Sequence, residues 1–157
     1  QSHSTSATET PSQTSLSRQQ LADSINLAYL NAQSRPREAY ATANSRQSKY
    51  AAYIEMWRLL VERVGNLNYP EAAKQQRLAG SLVLDVSINA DGQIHRVRIL
   101  KTSGIKILDD AAERIVHIAA PFDRFPESFS SEIDTLHIVR TWEFGQGKVV
   151  SRNLKFE

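Results

Sequence analysis

The clearest pattern in the chain is an amphipathic repeat in which apolar residues recur at helical spacing, three, four and seven positions apart. Arg58 and Glu62 fall on the opposite side, four positions apart, where they can pair. The pattern predicts a helix over residues 38–64, and Gly65 suits the left-handed position just past its end. The apolar positions are Tyr50, Tyr53, Ile54, Trp57, Leu60, Val61 and Val64.

Upstream of this helix the apolar pattern is weaker. Leu21 and Ile25 are followed at helical spacing by Ala28 and Tyr29, which predicts a short helix from about residue 17 to residue 32, before Pro36 interrupts it. Residues 1–18 are rich in Ser and Thr and contain one large apolar residue, so we expect a disordered linker. The predicted organisation is a linker over residues 1–18, a helical extension over 19–48 and a folded domain over 49–157.

Downstream of Tyr69 the period changes to two. Apolar residues alternate with polar ones from Leu82 to Ile88, which predicts a strand with one buried and one solvated face. Asp91-Gly92 predicts a two-residue hairpin turn with positive φ at both residues. The return strand is expected over residues 93–101.

A second helix is predicted over residues 108–119, with Asp109 in its first turn, where a carboxylate is favourable, and Pro121 after its end. An aromatic–proline loop follows. A third strand alternates from Leu136 to Phe144, and residues 149–156 form a plausible fourth. The elements predict an α+β fold, in which a small antiparallel sheet of three to four strands packs against two helices, with an N-terminal helical extension.

Composition narrows the function classes. The net charge is only +2, from 19 basic and 17 acidic residues that are interspersed, so we expect no nucleic-acid partner. There is no cysteine, and no apolar run is long enough to span a membrane. The histidines lack metal-ligand spacing, and no nucleophile–base arrangement is present, so we expect no metal, no cofactor and no enzymatic activity. Because the chain begins at Gln1, we expect it to be a piece of a longer protein.

The order of several short motifs resembles the C-terminal domain of TonB-type energy transducers. The helix end at Gly65 is followed by Asn66-Leu67-Asn68-Tyr69-Pro70, which is similar to the family's Q-P-Q-Y-P-type element. The Asp91-Gly92 hairpin, the Leu-Asp-x-Ala-Ala helix start at Leu108 and the Arg-Thr-Trp-Glu-Phe strand ending at Phe144 follow in the family's order. The resemblance covers about 95 residues, from Tyr50 to Phe144.

The resemblance implies a periplasmic domain of an inner-membrane-anchored protein in a Gram-negative bacterium. Such a domain couples the proton-motive force, through ExbB–ExbD and an upstream anchor, to outer-membrane transporters. It binds the transporter's TonB box by β-strand addition, in which an extended peptide satisfies the unpaired backbone groups of a sheet edge. The residues expected to contact the partner are Asn66, Leu67, Asn68, Tyr69, Pro70, Leu136, His137, Ile138, Val139, Arg140, Thr141, Trp142, Glu143 and Phe144.

Two points depart from the family pattern. The proline-rich spacer typical of the family is absent from this chain. The fourth strand, over residues 149–156, can pair with the third strand in the same chain, exchange between two copies to give a homodimer, or stay disordered. The alternative function is a TolA-like scaffolding module that binds a folded partner or associates with itself.

Overall fold

The computed structural model describes residues 12–34, 37–41 and 48–154, and the chain divides into two units between residues 35 and 36. The first unit contains helix α1, Ser12–Ser34, on which Leu21 and Ile25 are both about 60% exposed. The helix begins five residues before the predicted start and includes part of the segment predicted to be disordered. The run of Leu, Arg and Gln at residues 16–20 explains the longer helix, because these residues have good helix propensity. Residues 1–11 lie outside the described residues.

The second unit contains helices and strands in the order β1, α2, α3, β2, β3, α4, α5, β4 and β5. Their bounds are β1 Glu38–Ala41, α2 Ser48–Leu67, α3 Glu71–Gln75, β2 Gly80–Asn89, β3 Ile94–Lys101, α4 Lys106–Ala119, α5 Glu127–Ser130, β4 Thr135–Gly145 and β5 Lys148–Asn153.

The strands form one mixed sheet in the order β1-β4-β2-β3, and β5 lies beside the downstream half of β4. The α+β class is confirmed, but the sheet has five strands and one parallel pair, between β1 and β4. Strand β1 lies where the sequence predicts a helix from residue 38. Its backbone pairs with Thr135–Ile138 far along the chain, and this tertiary pairing outweighs local helix preference.

The core lies between one face of the sheet and helices α2 and α4. The predicted apolar positions of β2 are essentially inaccessible to solvent, as are Trp142 of β4 and Ile115 of α4. Tyr53 on α2 contacts Phe125 and Phe129 edge-on, and its hydroxyl donates to the Asp123 carbonyl over 2.6 Å. The aromatic–proline loop therefore closes one end of the core.

Gly65 has a different role from the one predicted. Helix α2 continues to Leu67, so Gly65 lies inside the helix. A Cβ atom at this position would lie 2.3 Å from Val149 Cγ1 on β5. The absence of a side chain at Gly65 therefore lets α2 pack directly against β5.

The Asp91-Gly92 turn also differs from the prediction. Only Gly92 has positive φ, at 89°, and its N–H donates to the Asn89 carbonyl over 2.8 Å. This is a three-residue loop that ends in a left-handed glycine. A Cβ atom on Gly92 would lie 2.0 Å from the Phe122 carbonyl oxygen, so the aromatic–proline loop crosses directly over the hairpin.

Candidate partner-binding site

Strand β4 is paired along both sides. On one side, β2 pairs with all of its 11 residues except the last, Gly145. On the other side, β1 pairs with Thr135–Ile138, and β5 pairs with Arg140–Gly145. Leu136–Phe144 is therefore not an open edge in the free chain, because two short strands already occupy that side between them.

The backbone of β4 alternates in a way that fixes which N–H groups face this outer side. Thr135 N–H donates to the Arg37 carbonyl just upstream of β1, so the odd-numbered residues of β4 point their N–H groups away from β2. Val139 lies opposite Asp85 of β2 and between the stretches paired with β1 and β5. By this alternation, Val139 N–H also faces the outer side.

Strand β5 is held firmly on β4. The connecting residues Gln146 and Gly147 have φ of 53° and 74°, which gives the tight two-residue turn that favours hairpins. Of the three alternatives for this segment, the structure shows pairing within the chain. Arg140 binds β5 from its buried side, where Nε donates to Ser151 Oγ over 2.7 Å and the guanidinium also reaches Asn153 Oδ1. Burial, together with the nearby charge of Arg58, lowers the pKa of Arg140.

The outer edge of β5 is in turn closed by side chains of α2. Asn66 Oδ1 accepts from Val149 N–H over 2.9 Å, and Glu62 Oε1 accepts from Ser151 N–H over 2.9 Å. Glu62 also forms the predicted pair with Arg58, at 2.8 Å. Two alternate N–H groups of β5, which would otherwise be free to pair with another strand, therefore have intramolecular partners.

Strand β1 is held at its upstream end by side-chain contacts of Arg37. Arg37 N–H donates to Asp134 Oδ2 over 2.8 Å, and the Arg37 guanidinium pairs with the same carboxylate at 3.3 Å. The backbone N–H of Arg37 and then its guanidinium lower the pKa of Asp134. Arg37 also donates to the Ser131 carbonyl over 2.7 Å. Farther along, Ala41 is buried in the core, whereas Tyr40 is about half exposed.

A row of polar side chains crosses the sheet on the face away from α2 and α4. Arg98 of β3 pairs with Asp85 of β2 at 2.8 Å, and Asp85 Oδ1 lies 3.0 Å from His137 Nδ1 on β4. On β1, Tyr40 stacks on the His137 ring at 4.1 Å, and Glu38 Oε1 lies 3.5 Å from His137 Nε2. The row therefore has members on four neighbouring strands. We name these five residues the polar row.

The face of the sheet that carries the polar row is partly buried, although the sequence predicts that solvent covers it. Asp85 and Ser87 alternate with the core residues of β2, as predicted, but each is at most 2% exposed. His137 is 6% exposed, and its Nε2 has no hydrogen-bond partner among the described residues. Burial of an ionisable pair is costly unless other groups satisfy it. Arg98 and Tyr40 supply that cover, and the Asp85 carboxylate raises the pKa of Arg98.

The remaining predicted contact residues lie around the end of α2 and the start of α3. Asn68 Nδ2 donates to the Val64 carbonyl over 2.8 Å, so it satisfies the helix end. Leu67 is 76% exposed, and Pro70 immediately precedes α3. Tyr69 packs against Phe144 with ring centroids 5.8 Å apart, and burial raises the pKa of Tyr69. The structure thus brings Tyr69 to the downstream end of β4 and leaves Leu67 facing solvent.

The alternation of β4 divides the predicted contact residues between its two faces. Leu136, Ile138, Trp142 and Phe144 are buried in the core, so they position the strand and do not present side chains to a partner. Thr141 and Glu143 lie on the opposite face, where Glu143 pairs with Arg152 of β5 at 3.0 Å. Only the backbone of the core-facing residues would be available to an added strand.

Several residues that shape this edge carry no functional signal in the sequence. Glu62 is predicted only as a partner of Arg58, and Asp85 only as a polar residue on the solvated face of β2. The sequence predicts no role for Arg37 or Tyr40. No local pattern marks Arg37 or Asp85, because their partners lie on other strands. A polar residue at 85 within an apolar strand, diagonal to a histidine at 137, would have been a usable signal once β2 and β4 were paired.

In the part of the chain that the structure describes, no three or more His, Asp or Glu side chains are arranged to hold a metal ion. Within those same residues, no helix combines the length and apolarity needed to cross a membrane. A groove of about 680 Å³ lies between α3 and the β4–β5 turn, with Lys74, Arg77 and Lys148 among its lining residues.

Residues 65–145, just over half of the chain, match the family model described as Gram-negative bacterial TonB protein C-terminal. Among solved structures, the chain is similar to the NMR solution structure of the TonB C-terminal domain of Helicobacter pylori, with 22% sequence identity and a TM-score of 0.42. That similarity covers 74% of this chain and 99% of the other. A search of curated proteins found no match.

Proposed function

Because the chain belongs to the TonB C-terminal family, we propose that it binds the TonB box of outer-membrane transporters by adding that peptide as a strand to β4. In this proposal an upstream anchor receives energy from ExbB–ExbD at the inner membrane, and the domain transmits it to the transporter. The family consists of periplasmic, transport-associated domains, and the function proposed for this chain requires no catalytic group.

The observation that supports this proposal is the construction of β4. It is the longest strand, β2 pairs along one side of it, and two separate short strands share the other side. Backbone groups of an edge accept an extended peptide with little demand on its side chains. Two strands of the same chain already pair with the outer side of β4. The backbone of β4 therefore has the geometry that an incoming strand needs.

The proposed contact surface keeps the residues predicted from the sequence. An incoming peptide would pair with the backbone from Leu136 to Phe144 and lie near Asn66 to Tyr69. In the free chain β1 and β5 hold those backbone groups, so binding requires that at least one of them moves.

The test is a titration of the ¹⁵N-labelled chain with a synthetic TonB-box peptide, followed by NMR. We expect amide shifts to cluster on Leu136–Phe144 and on Asn66–Tyr69. The variant Val139→Pro removes an N–H that faces the outer side, so it should abolish binding while the fold persists. Val139→Ala keeps that N–H and is the matched control, which should bind like the original chain.

The same titration distinguishes the proposed function from the TolA-like scaffolding alternative. A folded Val139→Pro chain that binds the peptide unchanged would exclude β4 as the acceptor. If the original chain binds no TonB-box peptide but associates with a folded envelope protein or with itself, the TolA-like scaffolding function would replace the proposed one.

A further inference from the structure

The upstream half of the outer edge of β4 is occupied by the chain itself. Strand β1 runs parallel to β4 and pairs with it over four residues, and its Ala39 and Ala41 face the core. Its Glu38 and Tyr40 lie on the other face, over His137. The strand thus sits as a bound peptide would, with backbone pairing along its length and alternate side chains contacting the domain.

We propose that β1 is an internal competitor for the partner strand and that His137 recognises whichever strand lies on this edge. The inference rests on the proposed function, because it names what a transporter peptide must displace. A competing strand runs parallel to β4 and places an aromatic residue over the His137 ring. It also places an acidic residue two positions earlier, near His137 Nε2.

The contacts of His137 support this assignment. The His137 ring has a contact within the central sheet as well as with β1, because its Nδ1 lies 3.0 Å from Asp85 Oδ1 and Arg98 pairs with Asp85 in turn. Its Nε2 is buried, lacks a hydrogen-bond partner among the described residues and faces Glu38. Because Nδ1 faces the Asp85 carboxylate and donates to it, Nε2 donates only when the ring carries both protons, and a nearby carboxylate complements that form.

The unequal attachment of the two short strands identifies the one that leaves. A two-residue turn connects strand β5 directly to β4, and β5 accepts hydrogen bonds from Arg140 and donates hydrogen bonds to Glu62 and Asn66. Strand β1 has four paired residues, and its main ion pair is about half exposed on both sides. Exposed ion pairs contribute little to stability. Among the described residues, displacing β1 therefore breaks fewer buried hydrogen bonds than displacing β5.

The experiment uses the full chain and a fluorescent peptide that comprises its own residues 36–43, with binding followed by anisotropy. The substitutions Arg37→Ala and Tyr40→Ala together loosen β1 without touching the core. The control is Leu100→Ala, because Leu100 on β3 is as exposed as Tyr40, at 52%. An edge that is occupied nine-tenths of the time weakens the apparent affinity about ten-fold, so the double variant should bind the peptide about ten-fold more tightly than the original chain.

Several outcomes decide the inference. Equal affinity of the original chain and the double variant would overturn it, provided that the fluorescence of the buried Trp57 and Trp142 shows both to be folded. A peptide with Ala at the position of Tyr40 should bind the double variant at least ten-fold more weakly, and equal binding would remove His137 from recognition. An original chain that is dimeric, and that becomes monomeric in the double variant, would show that β1 comes from a second copy.

A parallel titration with a TonB-box peptide separates this inference from the proposed function. If that peptide binds the original chain and the double variant equally, the proposed function stands and the internal competitor is refuted. If the chain's own peptide binds the double variant tightly and the TonB-box peptide binds neither, the strand-accepting edge is supported and the proposed function fails.

Discussion

The substitution Gly65→Ala tests the packing that seals β5 onto the sheet. Replacing glycine by alanine inside a helix ordinarily stabilises it by about 1 kcal/mol. Here the new Cβ would lie 2.3 Å from Val149 Cγ1 and 3.3 Å from Ile115 Cδ1. Real Cβ atoms do not approach so closely, so α2 and β5 must move apart or Val149 must change rotamer.

The expected magnitude follows from two opposing terms. Overpacking a close-packed core costs about 1–3 kcal/mol. Val149 is buried, and a β-branched side chain has few rotamers to escape into, which places the cost near the upper limit. After the helix gain is subtracted, we expect Gly65→Ala to lower the free energy of unfolding by about 2 kcal/mol.

The assay is urea unfolding followed by the fluorescence of Trp57 and Trp142, which are both buried. The control is Gly145→Ala, because its Cβ would meet only Ala79 Cβ at 3.6 Å, an ordinary contact. We expect that control to change stability by less than about 0.5 kcal/mol. The double variant with Val149→Ala should be less destabilised than the sum of the single changes, since the clashing methyl group is gone.

A stabilised Gly65→Ala chain, or a double variant whose effect is simply additive, would refute this account. The first result would mean that α2 does not press against β5 at Gly65. The second would mean that the cost arises elsewhere than at Val149.

Glu62→Ala leaves Ser151 N–H without its acceptor, so it should lower the free energy of unfolding by about 1–2 kcal/mol and speed amide exchange at Ser151. Glu62→Gln keeps an acceptor and should retain most of the protection from exchange. Burial alone would raise the pKa of Asp109, but hydrogen bonds from Thr102 and Ser103 outweigh it and lower the pKa. A carboxyl group whose pKa is lower in the folded state contributes stability above its pKa in the unfolded chain, which is about 4. Below that pH the original chain should therefore lose stability more steeply than Asp109→Asn. Parallel profiles of stability against pH would contradict this. The loss of TonB-box binding in Val139→Pro, and the gain of peptide affinity when β1 is loosened, complete the set.

Much of the sheet could be predicted from local pattern. Alternation identified β2 and β4 and placed Leu84, Val86 and Trp142 in the core, where the structure has them. The helical period identified α2 and α4, and the spacing of Arg58 and Glu62 gave their ion pair. These elements have one face buried in a single core, so their sequence period records their environment directly.

The state of the candidate edge could not be predicted in the same way. Strand β1 has only four residues, two of them alanine, and its partners at Asp134 and His137 lie about 97 positions away. Gly65 follows a helical run, so the sequence predicts that the helix ends there; nothing local indicates the approach of Val149. Each of these features depends on which strands meet, and that is decided by contacts between distant segments.

The position of β1 also determines how the domain responds to tension. Among the described residues, the first contacts of the second unit join Arg37 to Asp134 and Ser131. A pulling force that arrived along the upstream chain would therefore load β1 before it loads the core. We expect β1 to detach first under such a load and to expose the upstream half of the edge of β4.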